Sequence, residues 1–197
     1  MDQIASFRRA VAVAALLVAS GAGAEVISYS TALSGAAEAP PNASPGTGWA
    51  TLWLDTTAHT MRLETSFSGL LGNTTAAHIH CCTSVPEAGT IGVATQVPNF
   101  VGFPLGVTAG TYDFTFDLTA ATSWNPAFIT ANGGSTASAE AALVAGLNAD
   151  RAYLNIHTTQ FGGGEIRGFL TRDVPEPAVP VLLGVAAVAA LASRRRR

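Results

Sequence analysis

Thr60-Met61-Arg62-Leu63-Glu64-Thr65-Ser66-Phe67 is the stretch that decides the fold class, because apolar and polar side chains alternate along it. Met61, Leu63 and Phe67 fall on one face of an extended chain, and the charged side chains fall on the other. Residues 111–118 repeat the pattern, with aromatic side chains opposite two aspartates. Both stretches predict β-strands with one face buried and one face in water.

Similar short runs extend in both directions from this stretch, separated by clusters of Gly, Pro, Asn and Ser. The runs rich in β-branched and aromatic residues are 26–33, 49–54, 76–81, 152–158 and 165–171. Two segments interrupt the pattern. Residues 126–131 predict one or two helical turns, and residues 136–147 predict a short amphipathic helix with Thr136 as its N-cap. The order predicts a mostly β fold, an antiparallel β-sandwich or partly open barrel, with one or two short helices in a crossover.

The charge of the chain is low and unevenly placed. Its 197 residues include 13 acidic and 10 basic side chains, and every basic residue is arginine. Residues 25–173 hold eleven acidic residues and four arginines, a net charge of −7 for a stretch long enough to form one domain. Because such a surface repels phosphate backbones, we expect no nucleic-acid partner.

The first 24 residues have the order of a secretory signal peptide. Arg8 and Arg9 precede an unbroken apolar run over residues 10–19, and small residues follow at Ala22-Gly23-Ala24. Signal peptidase would then cleave after Ala24. The alternative, a buried N-terminal helix, does not account for the charge, apolar run and small residues in this order. Export would place the rest of the chain in an oxidising compartment.

The C-terminal residues 174–197 have three parts in order. Pro175-Glu176-Pro177 is followed by an apolar segment over residues 178–192, short for a bilayer core, and then by Arg194-Arg195-Arg196-Arg197. This order closely resembles the PEP-CTERM sorting signal. The resemblance implies processing by an exosortase-type enzyme, a transient stay in the inner membrane of a Gram-negative bacterium, and delivery to the cell surface or extracellular matrix. A simple tail anchor is the alternative.

Polar side chains gather on one face of the predicted strands. Alternation places these residues on that face if the strands are neighbours: His78, His80, Asn155, His157, Glu165 and Arg167. The three histidines predict a candidate Zn²⁺ or Cu²⁺ site, completed by Cys82, Glu165 or water. The alternative is a hydrogen-bonded polar cluster in which Glu165 pairs with Arg167 or a histidine. We expect the remaining histidine, His59, to lie on the ordinary surface.

The only two cysteines, Cys81 and Cys82, are adjacent. Three outcomes are open in an oxidising compartment: a vicinal disulfide, thiolate ligands beside the histidines, or a link to another molecule. We favour the vicinal disulfide. If the strand continued past His80, alternation would place Cys82 on the histidine side and make it the better ligand.

The sequence contains no recognisable catalytic motif. The glycine run at residues 162–164 lacks the lysine of a phosphate-binding loop and leads into a strand, so a hairpin explains it better. No Gly-x-Ser-x-Gly elbow or flanked Cys/His dyad occurs. We therefore expect a protein that is not an enzyme, with metal-dependent redox activity as the alternative.

Several sequence blocks together resemble the CHRD domain, over roughly residues 30–170. These blocks are Leu33-Ser34-Gly35, Glu38-Ala39-Pro40-Pro41, Phe67-Ser68-Gly69-Leu70, Ala77-His78-Ile79-His80, Tyr153-Leu154-Asn155-Ile156-His157-Thr158 and Gly163-Gly164-Glu165-Ile166-Arg167-Gly168. The resemblance implies an extracellular β-rich module. Together with the two sorting signals and the missing catalytic motif, it leads us to expect a binding or structural role, with exopolysaccharide or envelope proteins as candidate partners. The Cys81-Cys82 pair is not part of the family pattern.

Overall fold

The computed structural model describes residues 26–173, and β-strands dominate this part of the chain. The strands are β1 Val26–Ser34, β2 Thr47–Asp55, β3 Thr60–Ser68, β4 Thr74–His80, β5 Gly110–Asp117, β6 Tyr153–Thr158, β7 Ile166–Phe169 and β8 Thr171–Arg172. Two α-helices, α1 Pro126–Ala131 and α2 Thr136–Asn148, lie between β5 and β6. The prediction of a mostly β fold is confirmed.

All strands belong to one antiparallel sheet that curls into a half-barrel, which is closer to the open-barrel prediction than to a sandwich. The strand order is β4-β6-β7-β1-β2-β3-β5, and β8 also pairs with β1. Since β5 and β6 lie toward opposite ends of this order, the chain crosses between them through α1 and α2. This crossover is what brings β6 beside β4.

The long connection between β4 and β5 covers an edge that the sheet would otherwise leave open. The Ala94 amide donates to the Ile79 carbonyl at 2.9 Å, and the Gly106 amide donates to the Thr74 carbonyl at 2.8 Å. Residues 94–106 therefore run along the free edge of β4. The same connection also folds over one face of β4 and β6.

The core lies on the face of the sheet predicted from the alternating pattern. Met61 and Leu63 of β3 are fully buried, and Leu52 of β2 pairs directly with Leu63. Helix α2 adds Leu143 and Leu147 to the same cluster. Burial of each such side chain contributes about 1.5–3 kcal/mol, so this cluster stabilises the half-barrel.

Two details differ from the sequence predictions. The predicted strand over residues 165–171 is divided at Leu170: β7 pairs with β6 and, at Arg167, with β1, whereas β8 pairs with β1. The N-cap of α2 is Ser135 and not Thr136, since the Ser135 hydroxyl accepts from the Ser138 amide at 3.1 Å. A serine one position earlier supplies the oxygen at the distance that the first helical turn requires.

The predicted signal peptide and sorting tail lie outside the described residues. This includes the processing positions Ala24, Pro175, Glu176 and Pro177. Within residues 26–173, neither helix has the length and apolar composition needed to span a membrane.

Candidate metal centre

Neighbouring strands β4 and β6 bring three histidines to one face of the sheet. In the antiparallel register His78 lies opposite Asn155, His80 opposite Tyr153 and His157 opposite Ala76. Because side chains alternate along a strand, these residues project from the face opposite to core residues such as Ile79. The structure therefore places the three candidate ligands together.

The three imidazole rings are in mutual proximity. The ring centroids of His78 and His157 are 5.3 Å apart, and His80 lies 5.9 Å from each of the other two. One ligand nitrogen from each ring lies within 4.8 Å of the other two. His78 and His80 are only 7% and 8% exposed, and His157 is half-buried. Three nitrogen atoms thus share a small volume that is largely shielded from solvent.

Each ring uses one nitrogen to contact a backbone carbonyl. His78 Nε2 contacts the Pro98 carbonyl, His80 Nδ1 the Ile91 carbonyl at 2.8 Å, and His157 Nδ1 the Gly162 carbonyl at 3.0 Å. Since a carbonyl can only accept, these nitrogens carry the proton. In the neutral rings the opposite nitrogens then hold lone pairs, at His78 Nδ1, His80 Nε2 and His157 Nε2.

All three lone-pair nitrogens are buried, and none has a hydrogen-bond partner among residues 26–173. Burial lowers the pKa of each imidazole. At His80, repulsion of its charged form by His157, His78 and Arg167 adds to the effect of burial, and the pKa falls to about 4. At neutral pH the rings are therefore uncharged. Neutral imidazole is the form that binds a metal ion.

A buried arginine borders the cluster on the β7 side. His80 stacks on the Tyr153 ring at 4.8 Å, and the Arg167 guanidinium lies 4.8 Å from the centroid of the same ring. Arg167 donates to the Ala37 carbonyl and, at 3.0 Å, to the Gly89 carbonyl. Its nearest carboxylate contact is Glu38 at 3.9 Å, whose pKa burial raises to about 7. Arg167 thus anchors two loops beside the histidines.

Glu165 is not placed with the imidazoles, contrary to the prediction that it completes the site or pairs with Arg167 or a histidine. Its carboxylate accepts from the Ser44 hydroxyl at 2.5 Å and from the Thr158 hydroxyl at 2.7 Å. The Leu71 and Gly72 amides also donate to it, at 2.6 and 3.1 Å. Glu165 precedes β7 and turns toward the loop after β3, so it serves as a structural anchor.

Cys82 is also excluded as a thiolate ligand in this structure. Cys81 and Cys82 are joined by a disulfide bond, and the Cys82 sulfur lies 3.5 Å from the Ala142 carbonyl of α2. Strand β4 ends at His80, so the alternation used to place Cys82 beside the histidines does not continue. The sulfurs face α2 instead.

His59 has a partner that the sequence did not predict. Its Nδ1 atom lies 2.8 Å from a carboxylate oxygen of Glu140, which is buried on α2. The side chain of His59 is half exposed, in keeping with a surface position. It lies apart from the group formed by the other three histidines.

Comparison with protein-family models gives two adjoining matches. The CHRD domain model matches residues 29–170, and the PEP-CTERM protein-sorting motif matches residues 173–197. Neither a curated protein nor a solved structure matches the chain. Both resemblances seen in the sequence are therefore confirmed, with nearly the expected boundaries. Because the first match spans most of the chain, this protein belongs to the CHRD domain family.

Proposed function

We propose that this protein is exported, processed by an exosortase-type enzyme and displayed in the cell envelope or extracellular matrix, where its CHRD domain acts as a non-enzymatic binding or structural module. The observation that carries the proposal is the order of the two family matches. A sorting motif that begins at residue 173 follows directly on a domain that ends at residue 170. The CHRD domain is not a known enzyme family.

The proposed division is a signal peptide over residues 1–24, the domain over 25–173 and the sorting signal over 174–197. Hydrogen bonds at the ends of the domain support it. The Asp173 amide donates to the Ser28 carbonyl at 2.9 Å, and the Ser30 hydroxyl donates to the Asp173 carboxylate at 2.6 Å. The C-terminal end of the domain is thus fixed to β1, the first strand, and we expect cleavage beyond either end to leave the sheet intact.

The proposed processing partners are signal peptidase and the exosortase-type enzyme, with the inner membrane as an intermediate location. Exopolysaccharide or envelope proteins are the proposed partners at the destination. The net charge of −7 over residues 25–173 disfavours nucleic acid.

The test is to follow the chain in a Gram-negative host with and without its exosortase. Mass spectrometry of the surface fraction should find a chain that starts at Glu25 and lacks part of the tail. The matched control replaces Pro175, Glu176 and Pro177 by alanine. This chain should lose its signal peptide but keep its whole tail, and it should remain in the inner membrane. A full-length wild-type chain in the cytosol would contradict the proposal.

A further inference from the structure

We infer that His78, His80 and His157 together bind one divalent transition-metal ion, zinc or copper(II). This inference goes beyond export and surface display and does not depend on where the protein is delivered. It rests on the lone pairs, the burial and the hydrogen bonds of the three rings.

The first argument is the number of acceptors without donors. Buried polar atoms in folded proteins almost always have a partner, whereas three ring nitrogens in this one place have none within the described chain. On the same face the Asn155 Oδ1 atom is a further buried acceptor without a partner. A single water molecule has only two hydrogens and cannot satisfy three nitrogens at once. One cation can accept all three lone pairs.

The second argument is the orientation of the rings. Each imidazole is held by a carbonyl on the nitrogen that would face away from a bound ion. Metal-binding histidines nearly always have such a partner, because it fixes the tautomer and the direction of the lone pair. Here the carbonyls of Pro98, Ile91 and Gly162 come from two different connections, so the folded chain orients the rings before an ion binds.

The third argument is distance. Three imidazole nitrogens around a tetrahedral zinc ion, each about 2.05 Å from it, lie about 3.4 Å from one another. One nitrogen from each of His78, His80 and His157 lies within 4.8 Å of the other two. Ring rotations that move each nitrogen inward by about an ångström therefore suffice to bring them into coordination distance. His157, the most exposed of the three, has the most room to move.

The ligand set selects the class of metal. Three neutral nitrogens suit Zn²⁺, Cu²⁺ and similar ions, whereas Ca²⁺ and Mg²⁺ require oxygen ligands. With three protein ligands, a water molecule would take the fourth position. Copper(II) should bind more tightly than zinc, since this order holds for nitrogen sites in general.

The experiment is a calorimetric titration of the chelator-treated chain, recovered after export, with ZnCl2 and separately with CuCl2. We expect one ion per chain, and His80→Ala should weaken binding by roughly 100-fold or more. His59→Ala is the matched control, because it removes the one histidine outside the cluster and should leave the affinity unchanged. Absence of saturable binding by the wild-type chain would overturn the inference.

Two further measurements test the site if the His80→Ala chain does not fold. His157→Ala changes the least buried of the three rings and should show the same loss of affinity with an unchanged circular dichroism spectrum. Electron paramagnetic resonance of the copper-loaded wild type should show coupling to three imidazole nitrogens. Equal affinity in wild type and His157→Ala, or a copper spectrum without nitrogen coupling, would contradict a three-histidine site.

Discussion

Glu165 shows at the scale of a single residue how burial and hydrogen bonding oppose each other. It is fully buried, and burial alone raises the pKa of a carboxyl group. Four hydrogen bonds, from Ser44, Leu71, Thr158 and Gly72, outweigh this effect and hold the pKa of Glu165 below its usual value. The charged carboxylate therefore joins the loops around residues 44 and 71 to strand β6.

Glu165→Gln tests this role. An amide keeps the shape of the carboxyl group but places an NH2 group against donors, so we expect a loss of about 3 kcal/mol in the free energy of unfolding. Urea denaturation at pH 7 measures it. Glu64→Gln is the control, because Glu64 is exposed on β3 and water screens its contact with Arg62, so we expect little change in stability.

Comparison of the wild type with Glu165→Gln also predicts how their difference in stability changes with pH. A carboxyl group whose pKa is lowered on folding stabilises the protein above its unfolded pKa, and this contribution is lost as the pH falls through the folded pKa. The difference in stability between wild type and Glu165→Gln should thus be smaller at pH 3 than at pH 7. An equal difference at both pH values would show that the carboxylate charge is not what stabilises the loops.

The sequence could predict the three histidines of the site because their positions follow the period of a strand. It could not predict their carbonyl partners, since any residue type supplies a carbonyl and the positions depend on the path of two loops. The vicinal disulfide favoured for Cys81 and Cys82 is present. The prediction for Glu165, and the alternative that placed Cys82 beside the histidines if β4 continued, do not hold for a related reason. Both lie just outside a strand, at a point where alternation no longer determines the direction of the side chain.

At the scale of secondary structure, α2 is fitted closely to the disulfide that follows β4. A Cβ atom at Gly146 would overlap the sulfur atoms of both Cys81 and Cys82. The helix therefore has glycine at an interior position, although alanine would favour the helix itself by about 1 kcal/mol. Close contact with the sulfurs is the reason that we assign to this glycine.

Gly146→Ala should accordingly destabilise the protein by about 1–3 kcal/mol, the usual range for overfilling a packed site. The control is the same substitution in a chain that carries Cys81→Ala and Cys82→Ala, where the space is open and alanine should be neutral or stabilising. Thermal unfolding of the four chains measures both effects. A stabilising Gly146→Ala in the wild-type background would contradict the packing argument.

Most strand and helix positions could be predicted to within about two residues, because alternating patterns and Gly or Pro clusters mark them in the sequence. The division at Leu170 could not be predicted, since it marks the point where pairing with β6 ends while pairing with β1 continues. The pairing of residues 94–106 with the edge of β4 also left no pattern in the side chains. It is made mainly by backbone groups, which every residue except proline carries in full, with the Thr95 and Thr74 hydroxyls adding bonds to Ile79 and Pro104.

At the scale of the whole molecule, the curled sheet keeps three features in different places. Its buried face holds the core, the opposite face of β4 and β6 holds the three histidines, and β1 holds the C-terminal end of the domain. Asp173 at the end of the described chain bonds to β1, whereas the three histidines lie on β4 and β6. Display and metal binding can accordingly be tested independently.

Anomalous diffraction from crystals of the zinc-loaded chain tests the proposed metal centre most directly. We predict one zinc peak about 2.0–2.1 Å from His78 Nδ1, His80 Nε2 and His157 Nε2, with the three carbonyl contacts retained. Zinc bound elsewhere on the chain, with the three imidazoles unliganded, would contradict it.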